Sequence, residues 1–113
     1  MTITADTSPL CLLADIPDGN AVEVEALVHG EVESLLVYRA GENACAYLNV
    51  CPHAGRRLDY APGRFLVRNG QIICAAHGAT FKADDGECTG GPCRGDRLRG
   101  VAVSVVEGAV RLA

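Results

Sequence analysis

The sequence predicts a small all-β protein built from short antiparallel strands, and three observations lead there. Val22, Val24, Ala26 and Val28 alternate with Glu23, Glu25 and Leu27, the period of two of a half-buried strand. Thirteen Gly and five Pro punctuate 113 residues into short segments. No stretch carries a convincing helical period. A chain of this length fits one domain, residues 1–113, with a modest core. With aromatics at 4% and no Trp, that core is built from aliphatic side chains.

The elements follow in order. Residues 1–8 precede Pro9 and are expected to fray. Leu10–Leu13 reads as a short strand, ended by Asp15–Gly19. Val22–Val28 is the alternating strand, and His29–Gly30 a turn. Glu33–Ala40 is a third strand, Gly41–Asn43 a tight turn, and Ala44–Val50 a fourth strand running straight into Cys51. Up to this point the chain reads as an antiparallel meander. Residues Cys51–Gly63 are irregular. Phe65–Arg68 and Gln71–Cys74 flank Asn69–Gly70, the strongest short hairpin signal. Ala79–Lys82 is a brief strand. Asp84–Gly95 reads as loop, broken by Gly86, Gly90, Gly91, Pro92 and Gly95. Leu98–Val106 and Ala109–Leu112 are final strands across a Glu107–Gly108 turn. The expected architecture is a small β-sandwich or barrel base with two irregular loops in its middle.

Composition narrows the function classes. The formal net charge of -4 does not encourage nucleic-acid binding. The longest apolar runs fall far short of the roughly 20 residues that span a bilayer. No basic residue precedes the first apolar run, so a secretory signal is not indicated and a cytoplasmic location is expected. Charge is unevenly placed: residues 1–50 carry -7 and residues 51–113 carry +3. Six Cys without a secretory signal favour a metal site over a disulfide framework.

Two motifs carry chemistry. Cys51-Pro52-His53-Ala54-Gly55 and Cys74-Ala75-Ala76-His77-Gly78 each set a thiolate beside an imidazole after a predicted strand. Twenty residues separate His53 from Cys74. A Cys-x-His step in extended backbone points both side chains the same way, and Cys-x-x-His does so around a turn. A Gly after each His lets the chain bend sharply. Two such loops joined by a hairpin could face one another. Thiolate sulfur with imidazole nitrogen suits zinc or an iron–sulfur cluster.

The pair of motifs resembles the Rieske family, whose pattern is Cys-x-His followed by Cys-x-x-His. The resemblance covers about residues 45–106 and implies a Rieske iron–sulfur fold with a cluster-binding subdomain near residues 45–95. It implies one [2Fe-2S] cluster, with Cys51 and Cys74 on the inner iron and His53 and His77 on the outer one. Gly91-Pro92 stands where the family has a third, cluster-covering loop. High-potential members carry an extra Cys in each ligand loop. Arg56 and Ala76 occupy those places here. Such members also use a Ser and a Tyr to hydrogen-bond sulfur, where Ala79 and Phe81 stand here, so a low potential is expected.

By the same resemblance the chain looks like the stand-alone ferredoxin of a ring-hydroxylating dioxygenase system. It would carry electrons from a flavin reductase to a terminal oxygenase. His29 is the one spare His, too few for a mononuclear iron site, and no Gly-rich nucleotide fingerprint occurs. A catalytic site of its own and a directly bound small-molecule substrate are therefore not expected. One alternative is a small Rieske subunit of a larger reductase, such as nitrite reductase. Another is a structural zinc-binding module, although the usual zinc spacings are absent around these residues.

The remaining candidates read more plainly. Cys11 and Cys45 are expected as core thiols within strands. Cys88 and Cys93 flank the third loop, and a reducing cell favours packed thiols there over a disulfide. Glu23, Glu25 and His29 read as solvated surface. Tyr60 and Phe81 read either as cluster shielding or as loop packing. Arg56, Arg57, Arg94, Arg97 and Arg99 are expected to form a positive rim that steers an acidic redox partner.

Overall fold

The computed structural model describes residues 9–52, 55–75, 78–91 and 95–113. Eleven strands are present among them: β1 (Cys11–Leu12), β2 (Ala21–Val28), β3 (Glu31–Ala40), β4 (Asn43–Leu48), β5 (Leu66–Arg68), β6 (Gln71–Ile73), β7 (Thr80–Lys82), β8 (Cys88–Gly90), β9 (Gly100–Val101), β10 (Val103–Val106) and β11 (Ala109–Leu112). The helical content of the described residues is one 3₁₀ turn, Leu13–Asp15. All strand pairings are antiparallel, as the alternation and turn signals predict.

The strands form three sheets. One has the order β1-β11-β10, a second β2-β3-β4-β9, and a third β5-β6-β7-β8. The first two make the base. The third carries the chain between and beyond the two cysteine motifs. Three of the hairpins turn on residue pairs with positive φ at both positions: His29–Gly30, Asn69–Gly70 and Glu107–Gly108. That backbone twist matches the twist of paired strands, which is why two-residue turns suffice.

β3 is the partition of the molecule. Leu35, Leu36, Val37 and Tyr38 are all buried. Leu35 and Val37 join Leu13, Ile16, Ala46 and Val110 in the core of the base. Leu36 and Tyr38 point the other way, into a second core with Tyr47, Leu58, Phe65, Ile72, Phe81, Leu98 and the two cysteines Cys51 and Cys74. Successive side chains on a strand face opposite sides, so a four-residue apolar run is what a strand buried on both faces requires.

Several boundaries differ from the sequence reading. The first strand is only Cys11–Leu12, because Asp15 accepts the Leu12 N–H at 3.2 Å and curls the chain into the 3₁₀ turn. It pairs with β11 and so stands outside the β2–β3–β4 meander. The expected strand Leu98–Val106 is broken. β9 pairs with β4, whereas β10 pairs with β11, so the chain changes sheets at Ala102. The expected loop Asp84–Gly95 contains β8, which pairs with Thr80 and Phe81 across a register irregularity.

Candidate metal centre

The two cysteines stand in matching backbone frames. In the first loop the Cys51 N–H donates to the Arg56 carbonyl at 2.6 Å, and the Cys51 carbonyl accepts the Gly55 N–H at 2.8 Å. In the second, the Cys74 N–H donates to the Ala79 carbonyl at 2.7 Å, and the Cys74 carbonyl accepts the Gly78 N–H at 2.9 Å. The offsets are the same, four and five residues, although one motif is Cys-x-His and the other Cys-x-x-His. Gly55 and Gly78 close these frames with φ of 68° and 71°, a region where a side chain would be strained.

Both cysteines are wholly buried, at 0% exposure, in one apolar cluster with Leu58, Ala79 and Phe81. Neither is in a disulfide. The loops are tied together through Leu58, whose carbonyl accepts the Ala75 N–H at 3.4 Å. Two thiols at the base of equivalent loops, buried in one core and kept out of disulfides, suit a group that needs soft sulfur donors shielded from water. The other two expected ligands, His53 and His77, lie outside the described residues, as do Ala76, Pro92, Cys93 and Arg94.

The third segment packs directly on the second loop. Gly91, with φ of 89°, lies against Ala79. Thr80 and Thr89 join hydroxyls at 2.9 Å. Cys88 is disulfide-bonded, which overturns the expectation of a packed free thiol. That expectation weighed the redox compartment alone. In the structure β8 holds the Cys88 backbone across Phe81. Cys11 and Cys45 pack on the cores but are only partly buried, and burial pushes both thiols up from the ordinary range. Phe81 is fully buried and Tyr60 is exposed, so Phe81 is core and Tyr60 surface.

Two surface expectations are corrected. Glu23 is not a free wet carboxylate: it accepts from Ser34 Oγ at 2.6 Å and from Arg57 Nη2 at 2.9 Å. Arg57 in turn grips Asp59 in bidentate fashion, Nε to Oδ1 at 3.0 Å and Nη2 to Oδ2 at 2.7 Å. Its charge is therefore spent inside the protein and does not join a free positive rim. Arg56, Arg97 and Arg99 are exposed, as expected. His29 is exposed in its turn, and Glu25 is exposed on β2.

Sequence reasoning missed Asn49. It is 1% exposed, accepts the Leu58 N–H on Oδ1 at 2.9 Å, and donates through Nδ2 to Ser34 Oγ at 3.1 Å and Asp59 Oδ2 at 3.3 Å. An Asn two residues before a ligand motif was the available signal.

Among the described residues no helix is long and apolar enough to cross a membrane. No curated protein matches the sequence. Among solved structures, the ferredoxin of carbazole 1,9a-dioxygenase from Nocardioides aromaticivorans IC177 is similar at 27% identity and a TM-score of 0.72, over 94% of this chain and 95% of that one. A chain in a complex of reduced oxygenase and oxidized ferredoxin of carbazole 1,9a-dioxygenase matches at 26% identity and a TM-score of 0.72, over 94% of this chain and 100% of that one. A protein described as a nitrite reductase NADPH small subunit shares the fold alone, at 20% identity and a TM-score of 0.65, over 91% of this chain and 93% of that one. The Rieske [2Fe-2S] domain model matches residues 6–106, almost the whole chain, and together with the paired cysteine loops this makes the protein a member of the Rieske [2Fe-2S] domain family, carrying one Rieske-type cluster.

Proposed function

We propose that the protein is a cytoplasmic one-electron carrier of a ring-hydroxylating dioxygenase system. It holds its cluster on Cys51, His53, Cys74 and His77, in the segment of about residues 45–95 of a single Rieske domain. It takes electrons from a flavin reductase and delivers them to a terminal oxygenase, with no catalytic site of its own. The observation that carries this reading is the equivalence of the Cys51 and Cys74 frames: two loops of different spacing converge on one backbone arrangement around buried sulfur. Likeness to a ferredoxin of a dioxygenase system, over nearly the full length of both chains, supports the role. A ferredoxin in complex with its oxygenase, among the similar structures, supports the delivery partner. The nitrite-reductase reading rests on a likeness of fold only, and membership of the family sets the zinc reading aside.

When bound, the cluster accepts and returns one electron. The chain's own part is to bury the thiolates, fix their backbone and set the charge around them. Cys51 and Cys74 lie in apolar surroundings that exclude water from the sulfur side. The frames around them are locked by backbone bonds, so little reorganisation accompanies a change of one charge.

The test is direct. Anaerobically prepared protein should contain equal iron and acid-labile sulfide, and the Cys51→Ser, Cys74→Ser, His53→Ala and His77→Ala variants should each lose the EPR signal of the reduced centre. Reconstituted with a flavin reductase and a ring-hydroxylating oxygenase, it should support turnover that stops when it is omitted. A colourless protein with stoichiometric zinc would sink the reading.

A further inference from the structure

A polar chain runs beneath the first cysteine loop, from the base to the core between the loops. It starts on β2 at Glu23, which accepts from Ser34 Oγ and from Arg57. Arg57 holds Asp59 by two bonds. Asp59 Oδ2 also accepts the Gly63 N–H at 3.1 Å and Asn49 Nδ2 at 3.3 Å. Asn49 closes the system by accepting the Leu58 N–H, across the base of the loop that begins at Cys51. Leu58 then passes its carbonyl to Ala75 in the second cysteine loop.

This is an expensive way to hold a loop. The Asp59 side chain is 3% exposed and that of Glu23 is 20% exposed. Removing carboxylates from water is unfavourable unless donors replace it, and apolar residues of similar volume often stabilise a fold as well or better. What a hydrogen-bonded set adds is a defined position: Asn49 fixes where residue 58 lies relative to residue 49, and hence the span that contains Cys51. The set is also unbalanced. Glu23 and Asp59 bring two negative charges against the single positive charge of Arg57, leaving a net charge of -1.

We propose that Asn49, Asp59 and Arg57, anchored on Glu23, are positioning residues for the cluster, fixing the first cysteine loop on the base and against the second, while their uncompensated negative charge disfavours uptake of the electron. The inference rests on the reading that these loops hold the cluster. Its consequences are separable. The geometric part belongs to Asn49, and the charge part can be changed at Glu23 without removing a bond, since a Gln there keeps an acceptor for Ser34 and Arg57.

The experiment uses the cluster-loaded protein. Redox titration of Glu23→Gln should show a raised midpoint. At a fixed poise the reduced-to-oxidised ratio should rise by about threefold to tenfold, as expected for one charge at partly screened range. A tenfold change corresponds to about 59 mV for one electron. Arg57→Gln should move the midpoint the opposite way, and Arg57→Lys should restore most of it. Asn49→Ala should lose iron to a chelator at least several-fold faster and shift the EPR g-values of the reduced centre. A purely structural role would lower the melting temperature and leave the midpoint of Glu23→Gln where it was. That unshifted midpoint, in a variant with full iron and sulfide, overturns the proposal. Should Asn49→Ala fail to fold, the Glu23→Gln titration decides alone. Wild-type protein lacking iron and sulfide would instead overturn the functional reading along with it.

Discussion

Gly91 is packed against Ala79 so closely that a methyl group on it would stand 2.9 Å from the Ala79 Cα. The contact is backbone on backbone, and Ala79 is the residue whose carbonyl closes the Cys74 frame. Gly91 also has φ of 89°. Gly91→Ala therefore combines left-handed strain with a steric clash that no flexible side chain can relieve, and should cost about 2–4 kcal/mol. Gly41→Ala is the control: φ is 63° but nothing lies within 4 Å, so only the conformational cost of about 1–2 kcal/mol remains. Urea unfolding of both variants measures the difference. Equal losses would show that the third segment does not press on the second loop.

Leu58 joins the two cysteine loops through its backbone, and its side chain, at 0% exposure, is buried in the same core as Cys51 and Cys74. Leu58→Ala should cost about 2–5 kcal/mol, because the side chain leaves a cavity that hydrogen-bonded loops cannot collapse into. Leu58→Met conserves volume and should cost less than about 1.5 kcal/mol. Cluster loss to a chelator should follow the same order. If Leu58→Ala lost stability but kept its iron as firmly as the wild type, the packing would matter to the fold alone.

How much of this was legible in the sequence depends on the range of the interaction. The hairpin turns at His29–Gly30, Asn69–Gly70 and Glu107–Gly108 are local, and the residues that form them announce them. Burial of Leu35–Tyr38 on both faces is consistent with their apolar run, but nothing local says which core each side chain enters. The switch of sheets at Ala102 is invisible in a continuous run of Val and Ala, since it depends on which strand lies alongside. β8 was hidden because Cys88–Gly90 is only three residues long among the breakers Gly86, Gly90 and Gly91, and owes its pairing to Thr80 and Phe81. At the site, Cys51 and Cys74 were found by motif. Glu23 and Arg57 looked like surface because their partnership joins β2 to a loop more than thirty residues away, and a single charged residue does not reveal its partner.

Acid should weaken this clamp in a defined direction. Hydrogen bonding to Arg57 holds the Asp59 carboxyl below its ordinary range, and hydrogen bonding to Ser34 and then Arg57 does the same for Glu23. Both groups have lower pKa values folded than unfolded. Their contribution is fully present above the unfolded values of about 3.9 and 4.3, and is lost as pH falls through the folded ones. The stability difference between wild type and Asp59→Asn should thus be largest near neutral pH and shrink below about pH 4. Urea midpoints for the pair between neutral pH and pH 3 measure it. The difference is the informative quantity, since the effects of acid on the rest of the molecule are common to both proteins. A gap that stays constant down to pH 3 would mean that the carboxylate charge of Asp59 contributes nothing.

Among the described residues, side-chain donors are scarce around Cys74. Ala79 offers a methyl group and uses its carbonyl on the Cys74 N–H, Phe81 is buried in the core without a hydroxyl, and the Thr80 hydroxyl is engaged with Thr89. By family resemblance, Ala79 and Phe81 occupy the places from which Ser and Tyr donate to sulfur in high-potential members. Without those donors the added electron is less stabilised, so the midpoint should lie toward the roughly -150 mV end of the Rieske range. Ala79→Ser supplies one donor at a position that is already fully buried. A charge-assisted hydrogen bond worth about 1.5 kcal/mol to the reduced state would raise the midpoint by about 60 mV. Redox titration of both proteins under the same buffer measures the shift. A wild-type midpoint clearly above zero, or an Ala79→Ser variant that keeps its cluster with no upward shift, would show that hydrogen bonding to sulfur does not set the potential here.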